Sequence, residues 1–179
     1  SFAQRQISAA GTSVCLVDGI EQLEAAVEKQ GRQEMKKKVF VSGCFDVLHS
    51  GHIAFLQEAA QYGDLYVALG SDKTVLELKH RATLYTENER KYMLDALACV
   101  HKVYISPGSG YMDFVEVLDW VKPDIFFVNE DGDKPEKRKL CAERGIEYKV
   151  GKRVPFADLP IRSTTAIRDE MKQALLNEK

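Results

Sequence analysis

Val39-Phe40-Val41-Ser42-Gly43-Cys44-Phe45-Asp46-Val47-Leu48-His49-Ser50-Gly51-His52-Ile53 joins an apolar run to a histidine-bearing loop and the start of a helical pattern. Its opening apolar run, Val39 to Val41, has the length and side-chain branching of a short strand. From Ile53 to Tyr62 the apolar positions Ile53, Leu56, Ala59 and Ala60 recur at helical spacing on one face. A strand, a glycine-bearing loop and a helix, in that order, predict the first half of a βαβ unit. The two histidines, with a glycine between them, then fall where strand passes into helix. The first N–H groups of a helix lack partners within it, and the helix dipole favours negative charge there. His49 and His52 add side-chain donors at the same place, and Gly51 leaves room for a ligand close to the backbone. The junction is predicted to hold a phosphoryl or triphosphate group.

Outward from this stretch the chain alternates. Leu65 to Gly70 is a second strand, and its unbroken apolar run implies burial on both faces. Thr86 and Glu89 have capping-box spacing and open a helix through Met93, Leu94 and Leu97. Val103 to Ile105 is a third strand. Phe114, Val117, Leu118 and Val121 mark the next helix. Ile125 to Val128 follows Pro123 as a fourth strand. Pro135 to Arg144 is a charged helix stopped by Gly145, Ile146 to Val150 a fifth strand, and Ser163 to Leu176 a last helix with Ser163 or Thr164 as its cap. Strands alternating with helices predict an α/β fold: a Rossmann-like, doubly wound, five-stranded parallel sheet. Ligands of such sheets sit at the carboxyl ends of the strands, at the topological switch point, where the histidine stretch falls. Residues 1–35 read as an N-terminal extension with one helix, from Gly19 to Gln30.

Composition narrows the function. An apolar fraction of 45% over 179 residues suits one soluble domain with its own core. The net charge of −2 leaves no electrostatic footprint for nucleic acid. The basic runs Lys36-Lys37-Lys38 and Lys134 to Arg144 read as solvated surface. Cys15, Cys44, Cys99 and Cys141 have the spacing of neither a zinc site nor a disulfide framework, so reduced thiols in a cytoplasmic protein are expected. Cys44 lies inside the histidine stretch, but no base is placed to activate it as a nucleophile. No apolar run is long enough for a membrane span, and no signal-peptide pattern opens the chain.

Gly43-x-Phe45-Asp46-x-x-His49-x-Gly51-His52 resembles the signature of the HxGH nucleotidyltransferases, a cytidylyltransferase-like superfamily that includes heptose-phosphate adenylyltransferases. The resemblance runs over roughly residues 20 to 170 and makes 36–179 the nucleotidyltransferase domain. It implies transfer of a nucleoside monophosphate from CTP or ATP to a phosphorylated sugar or alcohol, with release of pyrophosphate and with magnesium accompanying the triphosphate. It places His49 and His52 on the triphosphate and Lys79 on the acceptor's phosphate, with His80 where the family commonly has glycine. Leu159 to Arg168 resembles the family's Ser-Thr-Thr segment, in which Ser163, Thr164, Thr165 and Arg168 would hold the departing phosphates. Arg162 abuts that run, whereas the cytidylyltransferases place an arginine several residues earlier, where Asp158 and Leu159 stand here. Gly43, Phe45, Asp46, Gly51 and Asn129 complete the expected nucleotide-binding set. Asp46 either orders its loop or helps hold the metal-bound phosphates. No carboxylate cluster suggests a metal site made by the protein alone. Residues 129–134 match neither the heptose adenylyltransferase pattern nor the glycerol-phosphate cytidylyltransferase pattern. An adenylyltransferase for heptose phosphate or a cofactor precursor is the alternative within the class. A nucleotide-binding regulatory module without turnover is the alternative outside it. A homodimer is the expected assembly.

Overall fold

Each predicted strand is present and each lies parallel to its neighbours. In the computed structural model the described residues are 36–152 and 157–177. The helix expected from Gly19 to Gln30 lies outside them. The strands are β1 (Lys38–Gly43), β2 (Asp64–Leu69), β3 (Lys102–Ile105), β4 (Ile125–Asn129) and β5 (Glu147–Gly151), in the order β3-β2-β1-β4-β5. The helices are α1 (Ser50–Ala60), α2 (Asp72–Lys79), α3 (Glu87–Asp95), α4 (Val115–Val121), α5 (Pro135–Arg144) and α6 (Thr164–Asn177), with a 3-10 turn at Glu130–Gly132.

β1 is the central strand, pairing with β2 over its whole length and with β4 at Val39 and Phe40. Its side chains divide the core. Val39 and Val41 join Leu56 and Ala59 of α1 and Leu94 of α3 on one face of the sheet. Phe40 joins Val117 and Leu118 of α4 and Cys141 of α5 on the other. A strand covered on both faces has no need for polar alternation, which is why β1, β2 and β4 read as continuous apolar runs. Strand order reverses between β1 and β4, and the crevice there is the ligand position of open α/β sheets.

Local signals place the helix ends. Thr86 and Glu89 form the full capping box, each side chain bonded to the other's backbone N–H. Pro135 opens α5, and Gly145 closes it in the left-handed region at φ 66°. Two elements differ from the periodicity. α1 begins at Ser50, so His49 is its N-cap and His52 lies in its first turn. Residues 72–79, to which the periodicity assigns no element, form α2, capped by the Ser71 hydroxyl accepting from the Thr74 N–H.

Candidate active site

A cleft of about 520 Å³ opens over the carboxyl ends of β1, β2 and β4. Its wall includes the start of α1, the end of α2, the turn before α4, the 3-10 turn and residues 159–161. His49 and His52 face it from the head of α1. Their rings stack at 3.7 Å with 21° between planes, and His49 Nδ1 accepts the His52 main-chain N–H at 3.4 Å. His49 Nδ1 thereby caps the first turn of α1. The first-turn N–H groups of α1 add their dipole at the same point.

The motif's glycines answer to identifiable neighbours. A Cβ at position 43 would lie 2.9 Å from the Phe45 ring. Phe45 itself takes a left-handed backbone at φ 46°, uncommon for an aromatic residue, and sets its ring edge-on to His52 at 5.2 Å. A Cβ at Gly51 would approach the His49 ring at 3.1 Å and the Arg162 carbonyl at 3.2 Å. Gly51 therefore lets the segment before α6 cross the start of α1, which brings the two ends of the domain together.

Asp46 lies beneath the loop, only 3% exposed. It accepts from Arg81 at 2.6 Å, from the Leu84 N–H at 2.7 Å and from Arg168 at 3.3 Å. Burial alone would raise its pKa, but these donors overrule burial and hold the carboxyl below its usual range. It orders the loop and ties it to α6 and to the connection between α2 and α3. Arg90, fully buried, does similar work one layer deeper. It donates to the carbonyls of Cys44, Gly70 and Tyr85 and to Asp72. The Cys44 thiol is pushed up by burial, which keeps it protonated and inert.

Of the other expected residues, Lys79 is the last residue of α2 and lines the cleft. Asn129 lines it too, with Oδ1 accepting from the Gly132 N–H at 2.9 Å. The cleft wall ends at Ile161, so Ser163, Thr164 and Thr165 stand beside it at the head of α6 rather than in it. Ser163 Oγ accepts from the Ala166 N–H at 3.1 Å, a helix cap. Arg162 pairs with Glu170 at 3.1 Å, and Arg168 reaches back to Asp46. Among the described residues no group of three or more His, Cys, Asp or Glu side chains could hold a metal ion.

Glu58, Asp113 and Lys137 are among the polar wall residues that carry no sequence signal. Glu58, two turns along α1, takes the Lys152 main-chain N–H, and burial raises its pKa. Asp113, in the turn before α4, is 9% exposed. Lys137 corrects the reading of the run from Lys134 to Arg144 as solvated surface: it is 6% exposed and faces the cleft. The helical period of α5 turns this one lysine inward, against the rings of Tyr111, Phe114 and Phe126. No sequence signal marks it, because its neighbours are equally charged.

Comparison with known proteins agrees with this geometry. Residues 40–170 match the cytidylyltransferase-like family model. The chain is 33% identical over 133 residues to an FAD synthase of Aciduliprofundum boonei, covering 73% of this chain and 87% of that one. It is 36% identical over 149 residues to the bifunctional protein HldE of Sulfurimonas denitrificans, covering 82% of this chain but 29% of that longer protein. Among solved structures, a lipopolysaccharide core biosynthesis protein from Thermoplasma volcanium superposes with a TM-score of 0.56 at 26% identity, covering 68% of this chain and 98% of that one. No described helix is long and apolar enough to cross a membrane. With its histidine pair at the head of α1, on the switch point of a parallel five-stranded sheet, the chain belongs to the cytidylyltransferase-like family of nucleotidyltransferases.

Proposed function

We propose that this chain transfers a nucleoside monophosphate from ATP to a phosphorylated small-molecule acceptor, releasing pyrophosphate. One observation carries the reading: the stacked His49–His52 pair stands in the same cleft as Lys79. That gives one end of the cleft donors for a triphosphate and another a cation for the acceptor's phosphate. An acceptor phosphate oxygen attacks the α-phosphorus. The new P–O bond forms as the bond to the β-phosphate oxygen breaks, and the electron pair leaves with pyrophosphate. Such a step demands in-line placement and neutralisation of spreading charge more than covalent help. The imidazole donors and the α1 dipole supply the second at the α-phosphate. Ser163, Thr164, Thr165 and Arg168, beside the cleft, would receive the leaving phosphates after a small shift of the α6 head. Magnesium fits as an ion carried by the triphosphate, since the wall carboxylates, Glu58 and Asp113 among them, belong to no described cluster able to hold a metal. It would offset phosphate charge.

ATP is favoured because one relative is an FAD synthase, whose named product carries an adenine nucleotide. CTP is the second reading, supported by the family's own description. Glu58 suits both: its carboxylate can accept from an exocyclic amine, which adenine and cytosine carry and uracil lacks. A cytoplasmic setting belongs to the same proposal, since Cys44, Cys99 and Cys141 are free thiols. The test is pyrophosphate release with magnesium, crossing ATP, CTP, GTP and UTP against sugar, polyol, flavin and amino-alcohol phosphates. Release confined to ATP and one acceptor class supports the proposal. Silence across the panel with ATP still bound would assign a module that binds without turnover.

A further inference from the structure

Asp113 and Lys137 are opposite charges, each more than nine-tenths buried in the wall of one cleft, yet they form no ion pair with each other. Asp113 Oδ2 has no hydrogen-bond partner among the described residues. The rest of the carboxylate is held firmly, by Thr74 of α2 and the Phe114 N–H. Gly108 lets the loop fold tightly against it, since a Cβ there would fall 2.7 Å from the Asp113 carbonyl. Gly70 keeps the space before Oδ2 open, since a Cβ there would stand 3.5 Å away. The Lys137 ammonium sits 5.4 Å from the ring centres of Tyr111 and Phe114, and Asp113 is the opposite charge that acts on it most, without a direct contact between the two. A buried oxygen left without a donor costs about 1–3 kcal/mol. A ligand that donates to Asp113 Oδ2 and accepts from Lys137 would satisfy the orphaned oxygen and give the ammonium a direct hydrogen bond in the same cleft.

Their position says which part of the ligand that is. The Asp113 carboxylate and the Cys44 sulfur both lie beside Gly70, and Lys79, read as the anchor of the acceptor's phosphate, lines the same cleft. It is on the opposite side of the cleft from Glu58, which packs by Gly151 at the end of β5. Resting on the proposed transferase reading, we infer that Asp113 and Lys137 determine acceptor specificity, by binding neighbouring hydroxyls of a polyhydroxylated phosphate ester. A hydroxyl donates to Asp113 Oδ2 and another accepts from Lys137 Nζ, so a vicinal diol meets both demands at once. An amino-alcohol phosphate does not: its cation would suit Asp113 but face the Lys137 charge.

The test separates binding from turnover. Wild type, Asp113→Asn and Lys137→Met are titrated calorimetrically, with magnesium and a non-hydrolysable ATP analogue present. The probes are glycerol 3-phosphate, ribitol 5-phosphate, sorbitol 6-phosphate, phosphoethanolamine and phosphocholine. Wild type is expected to bind at least one hydroxylated phosphate. Each substitution should weaken that binding about 10- to 100-fold, the worth of one buried charge-assisted hydrogen bond, while the affinity for the ATP analogue stays unchanged. Preference for the amino-alcohol phosphates, no binding of any hydroxylated phosphate, or equal binding by the variants would overturn the inference. Unaltered circular dichroism and urea midpoints show that the variants are folded. Pyrophosphate release by wild type is read separately, so selective hydroxyl binding without turnover would sink the transferase reading and leave only the hydroxyl-binding role of Asp113 and Lys137.

Discussion

Replacing Asp46 with asparagine keeps the shape of the loop and removes the charge beneath it. The carboxylate has lost nearly all its water and takes two guanidinium groups, so deleting its charge leaves both arginines short of a partner. Breaking a buried pair costs about 3–5 kcal/mol. Arg81 and Arg168 keep 30% and 32% of their side chains exposed, so water recovers part of that loss. The amide oxygen can still accept from the Leu84 N–H. The expected loss is therefore about 2–3 kcal/mol. At a urea slope of about 2 kcal/mol per molar, the midpoint should fall by about 1–1.5 M at pH 7. The pH dependence is the sharper check. The folded pKa of Asp46 lies below its unfolded value, so its contribution is fully present above the ordinary aspartate range, near 4, and is lost as pH falls through the folded value. The gap between wild type and Asp46→Asn should stay constant from pH 8 to about pH 5 and narrow below about pH 4. A midpoint change under about 0.3 M at pH 7, or a gap equally wide at pH 3.5, would refute the reasoning.

His49→Ala and His52→Ala should each cut kcat for pyrophosphate release by about 10² to 10³ while leaving the circular dichroism spectrum intact; near-normal turnover would remove that residue from the phosphate site. Lys79→Ala should raise the KM of the phosphorylated acceptor about tenfold or more, and a change confined to the KM of the nucleotide would reverse its role. Arg90→Met fills the same space but leaves the carbonyls of Cys44, Gly70 and Tyr85 without their donor, a loss of about 3–5 kcal/mol. A thermal midpoint within about 3 °C of wild type would show that those carbonyls find other partners.

How much of this could be read from the chain depended on whether the governing interaction was local. Pro135 and Gly145 fixed both ends of α5, and Thr86 with Glu89 fixed the start of α3, because caps act within one turn. α2 left too little trace: eight residues, with β-branched Thr74 and Val75 as its only buried positions. The histidine pair was legible because strand, glycine and helix follow one another directly. Asp113 and Lys137 were not. They come from separate parts of the chain, and only the sheet order, with β4 paired beside β1, brings those parts around one cleft. Asp46 stood between two readings for the same reason, since Arg81 and Arg168 reach it from 35 and 122 positions away.

The place of β1 between β2 and β4 also bears on how the chain is made. The Lys38 N–H donates to Asp124, 86 positions later, at the entrance to β4. At roughly 5–20 residues per second, a ribosome needs about 4–17 s to deliver that partner after β1 has emerged. Through that interval one edge of Val39-Phe40-Val41 stays bare, an apolar strand edge of the kind that recruits other chains. Nascent chains stalled before residue 124 would be the aggregation-prone species, already carrying the histidines but not yet the far wall of the cleft. Yield in a heterologous host should therefore follow chaperone supply during elongation more closely than the stability of the finished domain.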